Sequence, residues 1–264
     1  MSIPSKLLPL LCDPQDHGPL AFEEGSLINA GTGRKYFVAD GIPVLVDKAD
    51  IGPQNVRIQD MYRWMAGGFD AADWIGNAIT LGMITRFRRR FAGELRLKPG
   101  DRCLYTSIGT GLDLPFLAAR IPLTDIELVG LDLSMEMLRQ CQRKIDRRWT
   151  GPMLVQANAE SLPFADRTFD TVFHLGGINL FDRPAAAVRE MLRVAKPGAL
   201  IAIFDESPEC IRTQYQKWNP FTRKACAGIS TDFDPRDWTP PEAVETEFES
   251  LHGGKGYFLK FRAP

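Results

Sequence analysis

CLYTSIGTG, Cys103 to Gly111, is a short apolar run that ends in a glycine-bearing turn and leads into helix-like sequence. This pattern reads as a strand, a ligand-binding loop and a helix N-terminus. About twenty positions on, ELVGLDLS at Glu127 to Ser134 supplies a second apolar strand ending in an acidic residue, Asp132. In a doubly wound sheet a carboxylate at that place accepts hydrogen bonds from a ribose diol, and ligands sit beyond the carboxyl ends of the strands. The spacing is that of an adenosine binder.

The loop itself, SIGTG, lacks the third, distal glycine that lets a helix pack tightly beneath a pyrophosphate. An adenosine ligand without a diphosphate is therefore expected, which points to S-adenosylmethionine. Taken alone, the loop could also be a plain tight turn. The sequence around it alternates as a parallel α/β domain should. Strands are expected at Arg102–Thr106, Ile126–Leu131, Met153–Gln156, within ESLPFADRTFDTVFHLGG, and at Leu200–Phe204. Helices are expected at Leu114–Arg120, Met135–Arg147 and Pro184–Ala195, and the turn Lys196-Pro197-Gly198 precedes the fifth strand. At the C-terminus, ETEFESLHGGKGYFLKFR reads as a hairpin around a glycine turn.

The chain of 264 residues is long enough for one catalytic domain with a small appendage. Its apolar fraction of 44% and charged fraction of 25% are those of a globular protein, and a net charge of −1 gives no overall pull toward nucleic acid or anionic membrane, leaving only local patches. The cysteines, Cys12, Cys103, Cys141, Cys210 and Cys226, are odd in number and form no C-x-x-C pair. That argues against a disulfide framework or a cysteine-rich zinc site and makes a reducing cytoplasm the expected compartment. The N-terminus MSIPSKLLPLLCD is too short and too interrupted for a signal peptide, and no membrane span is expected.

Together SIGTG at 107–111, GLDLS at 130–134, ANAESLPF at 157–164, FDTVF at 169–173 and RVAKPGAL at 193–200 resemble the class I S-adenosylmethionine-dependent methyltransferases, especially the ubiquinone/menaquinone-biosynthesis type. The resemblance implies a seven-stranded Rossmann-like α/β sheet closed by a C-terminal antiparallel hairpin. It also implies site residues. Ser107, Gly109, Thr110 and Gly111 would let the backbone approach the methionine part of the donor, Asp132 would hold the ribose, and Leu133 would line the adenine. Asn158 and Ala159 match the pair that meets the adenine amino group, and His174 stands where the aminobutyrate end is contacted. The family usually has an acidic residue where this chain has Tyr105, and a glycine where it has Ser107.

The segment 1–50 resembles the small zinc ribbon that precedes some methyltransferase domains and also forms the free-standing activator of tRNA and protein methyltransferases. Anchoring on His17-Gly18-Pro19-Leu20 and Gly33-Arg34-Lys35-Tyr36 places Asp13, Asp16, Asn29 and Thr32 at the thiolate positions, so no bound metal is expected. Leu7, Leu8, Leu10, Phe22, Tyr36, Ile42 and Val44 are expected to form its core. Residues 51–98 carry helical spacing with Tyr62, Trp64, Trp74 and Ile75 and are expected to form a lid or linker. Residues 99–264 would be the methyltransferase domain, with 208–239 as a substrate cap rich in Trp218, Phe221, Phe233 and Trp238.

Methyl transfer asks for in-line alignment more than for acid/base groups. Where a base is needed, the candidates at strand ends are His174 and the Asp205-Glu206 pair. Tyr62, Gly177 and Asn179 (the latter two in GGINLF at 176–181), with Trp218, are candidate contacts of a small, aromatic or quinone-like methyl acceptor. An RNA methyltransferase is a rival reading, disfavoured by the charge balance and the missing cysteines, so a nucleic-acid partner is not expected. A non-methylating protein of the same fold is another, and a homodimer is left open.

Overall fold

The computed structural model describes residues 3–47, 49, 51–79, 81–218, 220–251 and 253–264, and the side chains of residues 218, 220 and 221 also lie outside the described residues. Four short strands come first: β1 (Leu20–Glu23), β2 (Ser26–Asn29), β3 (Lys35–Ala39) and β4 (Ile42–Leu45). Three helices follow, α1 (Pro53–Met65), α2 (Phe69–Ile79) and α3 (Met83–Glu94). The chain then runs β5 (Arg102–Thr106), α4 (Leu114–Ala118), β6 (Glu127–Asp132), α5 (Met135–Arg148), β7 (Met153–Ala157), β8 (Phe169–Leu175), α6 (Pro184–Val194) and β9 (Ala195–Glu206). After a π-helical segment at Ile211–Trp218 and short turns, β10 (Val244–Leu251) and β11 (Gly256–Arg262) close the chain.

Among the described residues these strands form one sheet of eleven, in the order β1-β2-β3-β4-β7-β6-β5-β8-β9-β11-β10. The centre, β7-β6-β5-β8-β9, is parallel, and the β10–β11 hairpin adds antiparallel to β9. Successive side chains of a strand point to opposite faces. Leu104 accordingly joins Val129, Val155 and Val172 on the α6 face, whereas Cys103 and Tyr105 join Leu128, Leu154 and Phe173 under α3, α4 and α5. Helix α5 follows the expected amphipathic logic: Ser134 caps it through the Met137 amide, and Met137, Leu138, Cys141 and Ile145 turn inward.

The sheet has eleven strands where seven were expected beside a small N-terminal ribbon domain, because the four N-terminal strands extend the sheet at β7. Strand β4 pairs in parallel with β7, Val44 opposite Gln156 and Leu45 opposite Ala157. Leu7, Leu10, Leu11, Leu20, Leu27 and Tyr36 pack in the same cluster as Leu104 and Val155. The first segment is thus continuous with the main core. Strand β9 also begins earlier than expected, because Lys196-Pro197-Gly198 is taken into the strand and not set off as a turn.

Where thiolates would stand in a ribbon, this chain has a hydrogen-bonded knot. Asn29 Nδ2 donates to Asp13 Oδ2 at 2.8 Å and to Asp16 Oδ1 at 2.9 Å, and the Tyr36 hydroxyl donates to Asp13 Oδ1 at 2.8 Å. Arg34 pairs with both carboxylates, and Thr32 lies at the edge, its amide donating to Asn29 Oδ1. Burial acts to raise the Asp13 pKa, but the donors Asn29, Gln15 N–H, Tyr36 and Arg34 together hold it below the ordinary aspartate value.

Asn29→Ala removes the donor shared by both carboxylates and is expected to cost about 1–3 kcal/mol, read by urea denaturation at neutral pH. Because the native pKa of Asp13 is depressed, its stabilisation is fully present above the unfolded-state pKa and is lost as pH falls through the lower native one. The stability gap between wild type and Asp13→Asn should therefore narrow in acid; a gap that widens would contradict this account of the knot.

Candidate active site

The carboxyl ends of β5, β6, β7, β8 and β9 converge beneath α1. The loop after β5 turns sharply through left-handed backbone, with φ of +62° at Ser107, +56° at Gly109 and +74° at Gly111. At Gly111 a Cβ would stand 2.8 Å from Cys141 Sγ, so only glycine lets α5 pack there. At Gly109 a Cβ would meet nothing within 4 Å, so the loop presents bare backbone to open space.

Asp132 ties this loop to the next strand. Its Oδ2 accepts from the Gly109 amide at 2.8 Å and its Oδ1 from the Ser134 amide at 2.9 Å. Burial pushes its carboxyl up to about 6, against the downward pull of the Ser134, Gly109 and Leu133 amides. A carboxylate offers about four lone-pair sites, so two amide bonds leave room for two more donors. Leu133 is half-buried, and its carbonyl accepts from Gln59 of α1 at 2.8 Å and from Gln156 at 2.9 Å. Asn158 and Ala159 are buried just past β7, where Asn158 Oδ1 accepts from the Glu160 amide at 3.0 Å.

Helix α1 is held over these strand ends by its N-terminus and one face. Asp182 caps it from a distant loop, accepting from the Gln54 and Asn55 amides at 3.0 and 2.7 Å. Asn55 Nδ2 donates to Glu160 Oε1 at 2.6 Å. Tyr62 is half-buried, its hydroxyl facing Gly177 and its ring edge-on to Phe69 with centroids 6.0 Å apart. Its phenol pKa is raised first by burial and then by the carboxylates of Glu206, Asp132 and Asp205. Trp64, by contrast, is 74% exposed.

Three expected roles change. Asp205 is fully buried and accepts from the amides of Gly177, Asn179 and Glu206 at 3.0, 3.1 and 2.8 Å, which makes it the anchor of the 176–181 loop and not an accessible base. Burial and the neighbouring Glu206 raise its pKa well above the ordinary range. Asn179 is buried and engaged at both ends of its amide: Nδ2 donates to the Glu206 carbonyl at 2.6 Å and Oδ1 accepts from the Tyr257 hydroxyl at 2.8 Å, which gives it a part in holding this loop. His174 is fully buried, with Nδ1 3.1 Å from Thr106 Oγ1 and Nε2 without a hydrogen-bond partner among the described residues. Burial lowers its pKa to about 3, despite an upward pull from the Gly176 backbone, and a ring this hard to protonate is unsuited to general-base work.

The cap segment contributes Tyr215, whose hydroxyl donates to Glu206 Oε1 at 2.9 Å, and a small cluster of Cys226 and Ile229 packed on Ile58 and Leu180. Phe233 stacks on Trp238, and Trp238 packs against the α6-side core, away from Tyr62. The side chain of Trp218 lies outside the described residues.

Sequence reasoning missed a buried charge cluster beneath the loop. The Tyr105 hydroxyl donates to Asp113 Oδ2 at 2.6 Å, and Arg88 of α3 lies 2.7 Å from Asp113 Oδ1 while its guanidinium forks onto Asp73 of α2 at 2.7 Å twice. Asp70 of α2 pairs with Lys144 and accepts from Thr110 Oγ1 at 2.6 Å. The tyrosine at the family's acidic position was the available signal: a buried phenol there needs an acceptor, and Asp113 is eight residues away. Arg88→Ala would leave Asp73 and Asp113 uncompensated and is expected to cost about 3–5 kcal/mol by urea denaturation; Tyr105→Phe should cost less, about 1 kcal/mol. Equal, small losses would show that the cluster is not coupled in this way.

Residues 104–203 match the model of a methyltransferase domain. The chain is 27% identical over 211 residues to the ubiquinone/menaquinone biosynthesis C-methyltransferase UbiE of Geotalea daltonii, covering 76% of this chain and 88% of the relative. It is 36% identical over 118 residues to a phosphatidylethanolamine N-methyltransferase of Cereibacter sphaeroides, covering 44% of this chain and 55% of that relative. Its fold is similar to that of an S-adenosylmethionine-dependent methyltransferase of Aquifex aeolicus, with a TM-score of 0.50 at 18% identity over 67% of this chain and 89% of the other. With a glycine loop and a carboxylate at adjacent strand ends inside the matched methyltransferase domain, the chain is an S-adenosylmethionine-dependent methyltransferase.

Proposed function

We propose that this enzyme methylates a small apolar acceptor, aromatic or quinone-like, held between Tyr62 of α1 and Tyr215 of the cap. The observation that carries this reading is a half-buried carboxylate, Glu206, beside the phenols of Tyr215 and Tyr62. Glu206 accepts from Tyr215, and its charge is among the causes that raise the Tyr62 phenol pKa, beside Phe69 and the bare Gly176–Gly177 turn. An acceptor of lipid character agrees with the names of two relatives, a ubiquinone/menaquinone biosynthesis C-methyltransferase and a phosphatidylethanolamine N-methyltransferase.

The residues present fit the methyl donor. Asp132 would take the ribose hydroxyls on its two remaining lone pairs, the bare backbone at Gly109 would face the methionine part beside Ser107, Thr110 and Gly111, and Leu133, Asn158 and Ala159 would border the adenine. The buried, partnerless Nε2 of His174 is an orphan polar atom at the strand ends, as expected where a ligand group completes the hydrogen bonding. When bound, the donor supplies an electrophilic methyl group on sulfur. The protein's share is orientation and exclusion of water: α1 and the cap cover the crevice, and Glu206, not Asp205, is placed to accept an acceptor proton. Because Tyr105 engages Asp113, the usual carboxylate contact to the donor's amino group is absent, and more of the affinity rests on Asp132.

The N-terminal segment reads as a ribbon whose metal centre is replaced by the Asp13–Asn29–Arg34 knot. Fused to β7, it would stiffen the strand that carries Asn158.

Titration calorimetry with S-adenosylhomocysteine tests the donor assignment. Asp132→Ala should weaken binding about tenfold or more, as loss of charge-assisted hydrogen bonds does. Wild-type affinity should fall as pH drops through about 6, because the acceptor form of Asp132 is the ionised one and lies above that pKa. Unchanged affinity in the variant would contradict the assignment. A radiolabelled-methyl screen across hydroquinones, phenols, phosphatidylethanolamine and tRNA then tests the acceptor class; label confined to tRNA would overturn it.

A further inference from the structure

Helix α2 is built inside out. Its polar side chains face the protein: Asp70 engages Thr110 and Lys144, Asp73 forks with Arg88, and Asn77 Oδ1 accepts from the Thr85 amide at 2.9 Å. Its apolar stripe, Ala71, Trp74, Ile75, Ala78 and Ile79, at i, i+3, i+4, i+7 and i+8, faces solvent. Trp74 is 71% exposed, Ile79 77% and Leu81, just beyond the helix, 83%. Of the nine large hydrophobic residues exposed among the described residues, four, Trp74, Ile75, Ile79 and Leu81, lie on α2 or just beyond it, so the exposure is concentrated there.

Both ends of the patch are cationic. Arg86 is exposed and donates to the Leu81 carbonyl at 2.8 Å, which sets its guanidinium at the far end. At the near end a cavity of about 420 Å³ opens beside Asp70, lined by Gln140, Arg143, Lys144 and Arg147. The two α2 carboxylates are already neutralised by Lys144 and Arg88, so they do not offset this charge. A whole-chain net charge of −1 makes the asymmetry local. Packing the patch against its own copy would bring like-charged ends together, whereas an apolar layer beneath anionic head groups complements both features.

We propose that the α2 stripe and its basic ends form a docking surface for an anionic phospholipid bilayer. Trp74, Ile75, Ile79 and Leu81 enter the interface, and Arg86, Arg143 and Arg147 meet lipid phosphates. The surface stands independently of which acceptor is methylated. Its other side holds Thr110 of the donor loop, so docking would bring the crevice to the membrane.

Co-sedimentation of the full chain with vesicles of phosphatidylcholine, with and without phosphatidylglycerol, tests this. Binding is expected to the anionic vesicles and to weaken at high salt. The double variant Trp74→Ser, Ile79→Ser should lower the partition coefficient about tenfold or more, with an unchanged circular dichroism spectrum and melting midpoint. Arg143→Glu with Arg147→Glu should lower binding to anionic vesicles and leave weak binding to phosphatidylcholine unchanged. The proposal is overturned if the wild type does not bind vesicles or if the Trp74/Ile79 variant binds equally. It is also overturned if sedimentation velocity shows a dimer that this variant dissociates while neither protein binds lipid.

Discussion

A single carboxylate, Asp132, joins two backbone amides that belong to different strand ends, Gly109 after β5 and Ser134 before α5. Its partly desolvated setting makes each of those bonds matter, since burial disfavours the charge they support. Through them the glycine loop is fixed in its left-handed path, Ser134 is placed to cap α5, and Leu133 is held with its carbonyl toward Gln59 and Gln156. Helix α1, the glycine loop and β7 are thereby referred to one point.

A second layer of polar contacts surrounds that point and couples it to the helices ahead of the sheet. Arg88 links α3 to α2 through Asp73 and to the loop helix through Asp113, while Asp70 reaches Thr110 in the loop itself. The polar side of α2 is thus committed to the glycine loop and to Arg88, which explains why its apolar side is left outward. The same arrangement accounts for Tyr105. The Tyr105 phenol keeps Asp113 in register with Arg88.

The central βαβ units were legible because parallel, doubly covered strands are near-continuous apolar runs, as in CLYT, ELVGL and MLVQ, and because glycine and Asp132 fall at fixed places after them. What was illegible depended on distant partners. Nothing local in GIPVLVD says that Val44 and Leu45 pair with Gln156 and Ala157. Asp205 looked like an exposed strand-end acid because its three amide donors include two from a loop that returns from positions 177 and 179. Periodicity marked Trp74 and Ile75 as a helix face, but period alone does not say whether that face looks in or out. Tyr215 meets Glu206 from a π-helical turn, which has no sequence signature at this length.

The most direct measurement is a crystal structure of the full chain grown with S-adenosylhomocysteine. The account predicts the ribose hydroxyls on the Asp132 carboxylate, with Gly109 at the homocysteine end and Tyr62 closing over it. A nucleoside bound elsewhere, or a crevice filled by the chain's own side chains at saturating ligand, would contradict it.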